Sequence, residues 1–137
     1  MITITIKGRE IPLIYTVWEM KQVQEEIGPL SQAISMVLGT NPEDKEDTSR
    51  FGSAEHLAAA ATLIRILGNA GLEEAGEAAD LTEKKILRAL KPAEFAQVIN
   101  ACMDAMNEGM SSEIPEGPKG KVDVMLEKLQ KKKETDS

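Results

Sequence analysis

Aromatic side chains are scarce in this sequence: two Phe, one Trp and one Tyr in 137 residues, 3% of the chain, although apolar residues make up 42%. A core drawn from that palette must be packed from Ile, Leu, Val, Met and Ala, which suits helices packed on helices. One cysteine, Cys102, excludes an internal disulfide and fits a reducing compartment. One histidine, His56, leaves a Ser-His-Asp triad no other choice of imidazole. No run of about 18 apolar residues is there to span a bilayer. The N-terminus alternates at once, without the basic-then-apolar order of a signal peptide. Positive charge is also in short supply: 16 Lys and Arg against 23 Asp and Glu give a net charge of −7. That balance opposes a phosphate backbone, so no nucleic acid is expected as partner. Charge alone does not exclude a basic or membrane-surface partner, and it is the lack of a spanning run that leaves no membrane expected. The expectation is a soluble, cytoplasmic chain of a length typical for one domain.

What is present is strong patterning. In MITITIKGREIPLIYT, Ile2, Ile4 and Ile6 share one face while Thr3, Thr5 and Lys7 share the other, the alternation of a half-buried strand. Gly8-Arg9 reads as a two-residue type II′ turn that sets Lys7 opposite Glu10. Ile11, Leu13 and Tyr15 continue the apolar face on the return strand, and Pro12, with no N–H to donate, places that strand at a sheet edge or with that position facing outward from the ladder.

Helix signals follow. Thr16-Val17-Trp18-Glu19 is a capping box, with Tyr15 and Met20 as its hydrophobic staple. Val17, Met20, Val23 and Ile27 form the buried stripe of this helix, which stops at Gly28-Pro29. Leu30, Ala33, Ile34, Val37 and Leu38 pattern a second helix up to Gly39. TNPEDKEDTSRFG has no periodicity and reads as an exposed loop. Ser53 caps a third helix running to Gly68, apolar on most sides and therefore central. GNAGLEEAGEAADL, broken by three glycines, is either a short helix or a connection. Asp80 and Glu83 suggest another capping box, for a fourth helix burying Leu81, Ile86, Leu87 and Leu90. After Lys91-Pro92, a fifth helix carries Phe95, Val98, Ile99, Cys102 and Met106 on one face before Gly109.

The fold class is thus mostly α (α+β): an N-terminal β-hairpin packed on a bundle of about five short helices, with a separate C-terminal helical segment. Residues 1–110 form the hairpin and helical domain, and the Pro- and Gly-rich residues 111–121 form a linker. Residues 122–137 form a short amphipathic helix and charged tail, with Val122, Met125, Leu126 and Leu129 on one face. Two turns are too short to be stable alone, so that stripe either docks on the domain or waits for a partner.

Chemistry-bearing sets are sparse. His56 reads as a surface or interface side chain early in its helix. Cys102 lies between Ile99 and Met106, where a buried thiol packs inertly. HExxH, CxxC and calcium-loop patterns are absent from the sequence, so no metal and no cofactor is expected. Glu73, Glu74 and Glu77 lack a pocket in the pattern and read as a solvated face. Gly68-Asn69-Ala70-Gly71 follows a helix, lacks the Lys-Ser/Thr of a phosphate loop, and reads as a helix corner. The methionines Met103, Met106 and Met110 read as core filler first and as an adaptable binding surface second.

Three passages carry a family resemblance. ITIKGREIPLIYTVWEMKQVQEEIG resembles the opening of the tail assembly chaperones of long-tailed bacteriophages and of prophages of Gram-positive hosts, a hairpin with a K-G-x-E turn followed by a helix ending in E-x-x-G. LKPAEFAQVINACMDAMNEGM is similar to the family's later helix and KVDVMLEKLQKKK to its C-terminal end. The resemblance implies a non-enzymatic protein that coats the tape measure protein, keeps it soluble and helps tail tube protein subunits polymerise around it. Val122, Met125, Leu126 and Leu129 are then candidate partner-binding residues, and a weak homo-oligomer stays open. The alternative is a structural phage tail or connector subunit that oligomerises by edge pairing of its hairpin.

Overall fold

The computed structural model describes residues 1–41, 43–44 and 46–110. It is mostly helical with an antiparallel hairpin at its front: β1 (Thr3–Ile6), β2 (Arg9–Pro12), α1 (Val17–Glu26), α2 (Leu30–Leu38), α3 (Ala54–Glu74), α4 (Glu83–Ala89) and α5 (Pro92–Met110). The expected linker over 111–121 and the helix with Val122, Met125, Leu126 and Leu129 lie outside the described residues.

The hairpin turns one step earlier than its glycine suggested. Its register pairs Ile6 with Arg9, Thr5 with Glu10 and Ile4 with Ile11, so the two turn residues are Lys7 and Gly8, not Gly8 and Arg9. Both have positive φ, 51° and 76°, as a type I′ turn requires, and that turn matches the twist of the strands. Lys7 therefore does not face Glu10. The shift of register is two residues, so the apolar face is unaffected: Ile4, Ile6, Ile11, Leu13 and Tyr15 are all buried.

At 21 residues, α3 is the longest element among the described residues, and α1, α2, α4, α5 and β2 all pack on it while β1 rests on α5. Ser53 caps it, accepting from the His56 N–H at 3.2 Å. The helix does not stop at Gly68. It continues through Gly71 to Glu74, because the hairpin's return strand needs the space those glycines leave: a Cβ on Gly71 would stand 1.6 Å from the Pro12 carbonyl oxygen. In the same approach the Ile14 N–H donates to the Leu67 carbonyl at 3.2 Å. Likewise α5 runs through Gly109 to Met110, where a Cβ on Gly109 would meet the Tyr15 carbonyl oxygen at 2.3 Å. The extended run from Pro12 to Tyr15 is clamped between two helices at their glycines.

The other helices begin and end at chemically explicable places. In α1 the Glu19 carboxylate accepts from the Thr16 N–H at 2.8 Å and from the Thr16 hydroxyl, so the capping box forms. Glu26 pairs with Arg65 and ties this helix to α3. Gly39, left-handed at φ 76°, closes α2. The cap of α4 is Thr82, whose hydroxyl accepts from the Lys85 N–H at 3.2 Å, and not Asp80. Asp80 instead pairs with Arg9 at 2.9 Å, which fastens the segment before α4 to the hairpin end. The expected face of α5 is buried as a set, Phe95, Val98, Ile99, Cys102 and Met106, with Met110 added.

Asn69, read from the sequence only as part of a helix corner, lies inside α3 and organises the α3–α4 junction. Its amide accepts from the Leu81 N–H at 2.9 Å and donates to the Leu81 carbonyl at 3.1 Å, so Leu81 can be buried without orphaning its peptide groups. Asn69→Ala leaves both unpaired, and urea unfolding should register a loss of about 2 kcal/mol. A loss within 0.5 kcal/mol, the ordinary size of a surface change, would show that water replaces the amide there.

Candidate functional site

The single histidine and the single cysteine are both buried. Cys102 is fully buried on α5, and desolvation pushes its thiol up to about 12, so it stays protonated and unreactive at neutral pH. His56 is not on the surface. It is 2% exposed, lies between Phe51 at 4.8 Å and the edge of Phe95 at 6.1 Å, and accepts the Gly52 N–H on Nδ1 at 2.9 Å. Burial lowers its pKa, against a smaller upward pull from the Val37 carbonyl, and Nε2 closes no hydrogen bond of ordinary geometry. The single imidazole is an aromatic core member that holds the turn before α3.

The carboxylates are equally committed or solvated. Glu73, Glu74 and Glu77 are exposed at the end of α3 and just beyond it, and Arg9 reaches Glu77 at 3.9 Å, the Ala78 carbonyl at 3.3 Å and Asp80. The hydrogen bond from Arg9 holds the Asp80 carboxyl below the usual carboxylate range. In the loop before α3, Asn41, Asp44 and Asp47 take backbone N–H groups two residues ahead, at Glu43, Glu46 and Ser49, a chain of local turns. Bonds from Ser49 hold the Asp47 carboxyl low. Among the described residues no group of three or more His, Cys, Asp or Glu side chains could hold a metal ion, and no helix is long and apolar enough to cross a membrane. An open cleft of about 490 Å³ runs between β1 and α5. Thr3, Thr5, Lys7, Glu94 and Gln97 supply its polar groups, and no nucleophile and base are paired there.

What the surface does offer is apolar side chain. Val17 is 81% exposed and Trp18, the only tryptophan, 62%. The reading of Val17 as part of the buried stripe is thus overturned. At 100° per residue Val17 sits about 120° around the helix from Val23, and Trp18 about 140° the other way. The inward direction of α1 is set by Glu19 and Val23, both buried, with Met20 and Ile27 at the margins. Val17, Met20, Lys21, Gln24 and Glu25 make a continuous shallow face along α1, and the Lys21 ammonium lies 5.1 Å from the centre of the Trp18 ring. The capping box was the signal that could have found this face: Glu19 turned inward to cap Thr16 forces the two residues between them outward. The three methionines follow the first of their two readings: Met106 and Met110 are buried and Met103 is half-buried, so they fill the core. A second exposed aromatic, Phe51, sits at the other end of α2 with Leu38 beside Gly39.

No protein-family model matches this sequence, and neither a curated protein nor a solved structure matches it.

Proposed function

We propose that this chain is a phage or prophage tail assembly chaperone, a non-enzymatic protein of the host cell cytoplasm that binds the tape measure protein, keeps it soluble and assists assembly of the tail tube. The observation that carries the reading is the exposed pair Val17 and Trp18 on α1. A face of that kind suits an amphipathic helix, and an extended helical partner presents such helices one after another. Many copies bound in a row gain avidity while each contact stays weak enough for tail tube protein subunits to displace. The net charge of −7 then lends the coated partner repulsion from its neighbours. The resemblance of the hairpin, the α5 passage and the C-terminal passage to this chaperone family supplies the particular partner.

The test is co-expression with the tape measure protein encoded beside it. Changing Leu126 and Leu129 to Asp should leave thermal unfolding of the domain nearly unchanged and reduce the soluble fraction of the tape measure protein. Unaltered solubility removes the C-terminal stripe from the contact, and failure of the unmodified chain to solubilise the partner overturns the reading. A second reading, a structural tail or connector subunit, draws on β1 and β2 pairing, among the described residues, only with each other, which leaves outer edges for strand addition. Its mark would be closed rings or tubes formed by the isolated protein, where a chaperone stays small until offered its partner.

A further inference from the structure

We propose that the cleft between β1 and α5 is a strand-addition site: an extended segment of another protein pairs antiparallel with the outer edge of β1, setting a small apolar side chain against Val98 and Ala101 and a Lys or Arg toward Asp104. The inference does not rest on the chaperone reading. It differs from the subunit reading because the site takes one strand and not a second hairpin.

The register of the hairpin aims main-chain groups into this cleft. Across a two-residue turn Ile6 and Arg9 exchange both ladder bonds, and Ile4 and Ile11 do the same two places on. The Leu13 N–H keeps the same phase, donating to the Ile2 carbonyl at 2.9 Å. Thr3 and Thr5 therefore turn their N–H and C=O groups away from β2, and both residues line the cleft. Among the described residues nothing bonds to those four groups. The edge of β2 is different. Pro12 has no N–H to offer there, and its carbonyl oxygen is pressed against Gly71, where α3 covers the strand. One edge is shut and the other is left open.

The far wall of the cleft selects the occupant. The Met1 ammonium lies 4.0 Å from Glu108, while Lys7 and Gly8 share the cleft with Ala89 and Glu94, so β1 and α5 run in opposite directions. Residues facing each other on antiparallel strands carry their side chains on the same side of the sheet. A second copy adding its own β1 would thus bring its own α5 into the space the first α5 borders. Charge opposes that meeting as well, since α5 holds Glu94, Asp104 and Glu108 and no Lys or Arg. A lone strand brings no helix, and a basic side chain on it meets this charge favourably. Two of the carboxylates are engaged: Glu94 accepts the Lys91 N–H at 2.9 Å, and Glu108 faces the N-terminus. Asp104 is exposed and has no ion-pair partner among the described residues. It stands about two turns beyond Gln97 on the same line of the helix. In an antiparallel segment the residue opposite Ile4 points at Val98 and Ala101, which suits a small apolar side chain. The residue two places later, opposite Ile2, points toward Asp104.

The probe is an acetylated, amidated peptide, Thr-Val-Thr-Val-Thr-Lys, added to the isotope-labelled full chain and followed by NMR. The Thr3 and Thr5 amide signals should shift downfield and their hydrogen exchange should slow, while exchange at Ile4 and Ile6, already bonded within the hairpin, stays as it was. N-methylation of the two Thr residues that flank the second Val removes the donors facing β1 and should abolish binding. Replacing the peptide's Lys by Glu should weaken binding, and Asp104→Lys, at an exposed position, should reverse that preference. Thr3→Pro puts on β1 the block that its cross-strand partner Pro12 already gives β2, and it should lose the peptide. If that variant does not fold, the N-methylated peptide carries the test on the unaltered protein. Equal binding of the two peptide backbones overturns the proposal, as does the absence of any shift at Thr3 and Thr5. So do Thr3 and Thr5 amides that exchange slowly without peptide, which would mean that the edge is already covered, or protection there that grows with protein concentration, which assigns the edge to a second copy.

Discussion

Gly71→Ala is expected to destabilise the protein by about 3 kcal/mol, at the upper end of the overpacking range, and to lower the unfolding midpoint by roughly 10 °C. Inside a helix the substitution by itself would stabilise by about 1 kcal/mol. The obstacle reverses the sign. A Cβ at Gly71 would lie 1.6 Å from the Pro12 carbonyl oxygen and 2.5 Å from its carbon, and both are backbone, so relief requires moving the hairpin off α3 and with it buried Ile11 and Leu13. Gly68→Ala is the matched comparison. Its Cβ would meet the Leu81 Cδ1 at 2.6 Å, the tip of a side chain that can turn aside, and its effect should fall within about 1 kcal/mol of zero because the helix-propensity gain offsets the repacking. Thermal or urea unfolding of the two variants decides the matter. A Gly71→Ala protein as stable as the unmodified one would mean that the strand and helix are not in contact there.

The same position shows why parts of the fold were hidden in the sequence. Local patterns were legible: the Ile2, Ile4, Ile6 alternation, the Thr16 to Glu19 box, the Ser53 cap and the α5 stripe each depend on residues within a few places of one another, and each formed. Features that depend on what comes near from elsewhere were not. Gly68 and Gly71 weigh against a helix when only their own preference is counted, and their use becomes visible once Leu81 and Pro12 are beside them. Asp80 and Thr82 are both sound capping residues, and Arg9, 71 positions away, takes Asp80. The exposed Val17 and Trp18 were obscured for a related reason. Apolar residues in a helix are assigned inward by default, but the capping glutamate, itself 6% exposed, had already fixed which side of α1 is in.

His56 should make the protein's stability fall as the pH drops below 6.5. It is the only histidine, so the effect has one source in that window. In the folded state Nδ1 accepts the Gly52 N–H, which places the ring's proton on Nε2, and a second proton on Nδ1 would set two N–H groups against each other. Burial holds the folded pKa below the ordinary 6.5, whereas the unfolded chain titrates near that value. Above pH 6.5 both states are neutral and the full stability is present. As the pH falls, the unfolded chain binds a proton that the folded chain refuses, so stability is lost until the folded pKa is reached. Asp47 and Asp80, both depressed below 3.8, withdraw their contributions only below about pH 4, which leaves the two windows separate. A charge on His56 would also stand in the first turn of α3, at the positive end of its dipole, and would push against the turn carrying exposed Phe51. His56→Leu keeps an apolar filling between Phe51 and Phe95 but cannot accept from Gly52. It should be less stable than the unmodified protein by about 2 kcal/mol at pH 7 and nearly insensitive to pH between 7 and 5, so the two stability curves converge on acidification. Unfolding midpoints across that range, with an NMR titration of the single imidazole, test both halves. A ring that titrates at or above 6.5 in the folded protein, or parallel curves for the two proteins, would remove His56 as the origin of the pH dependence.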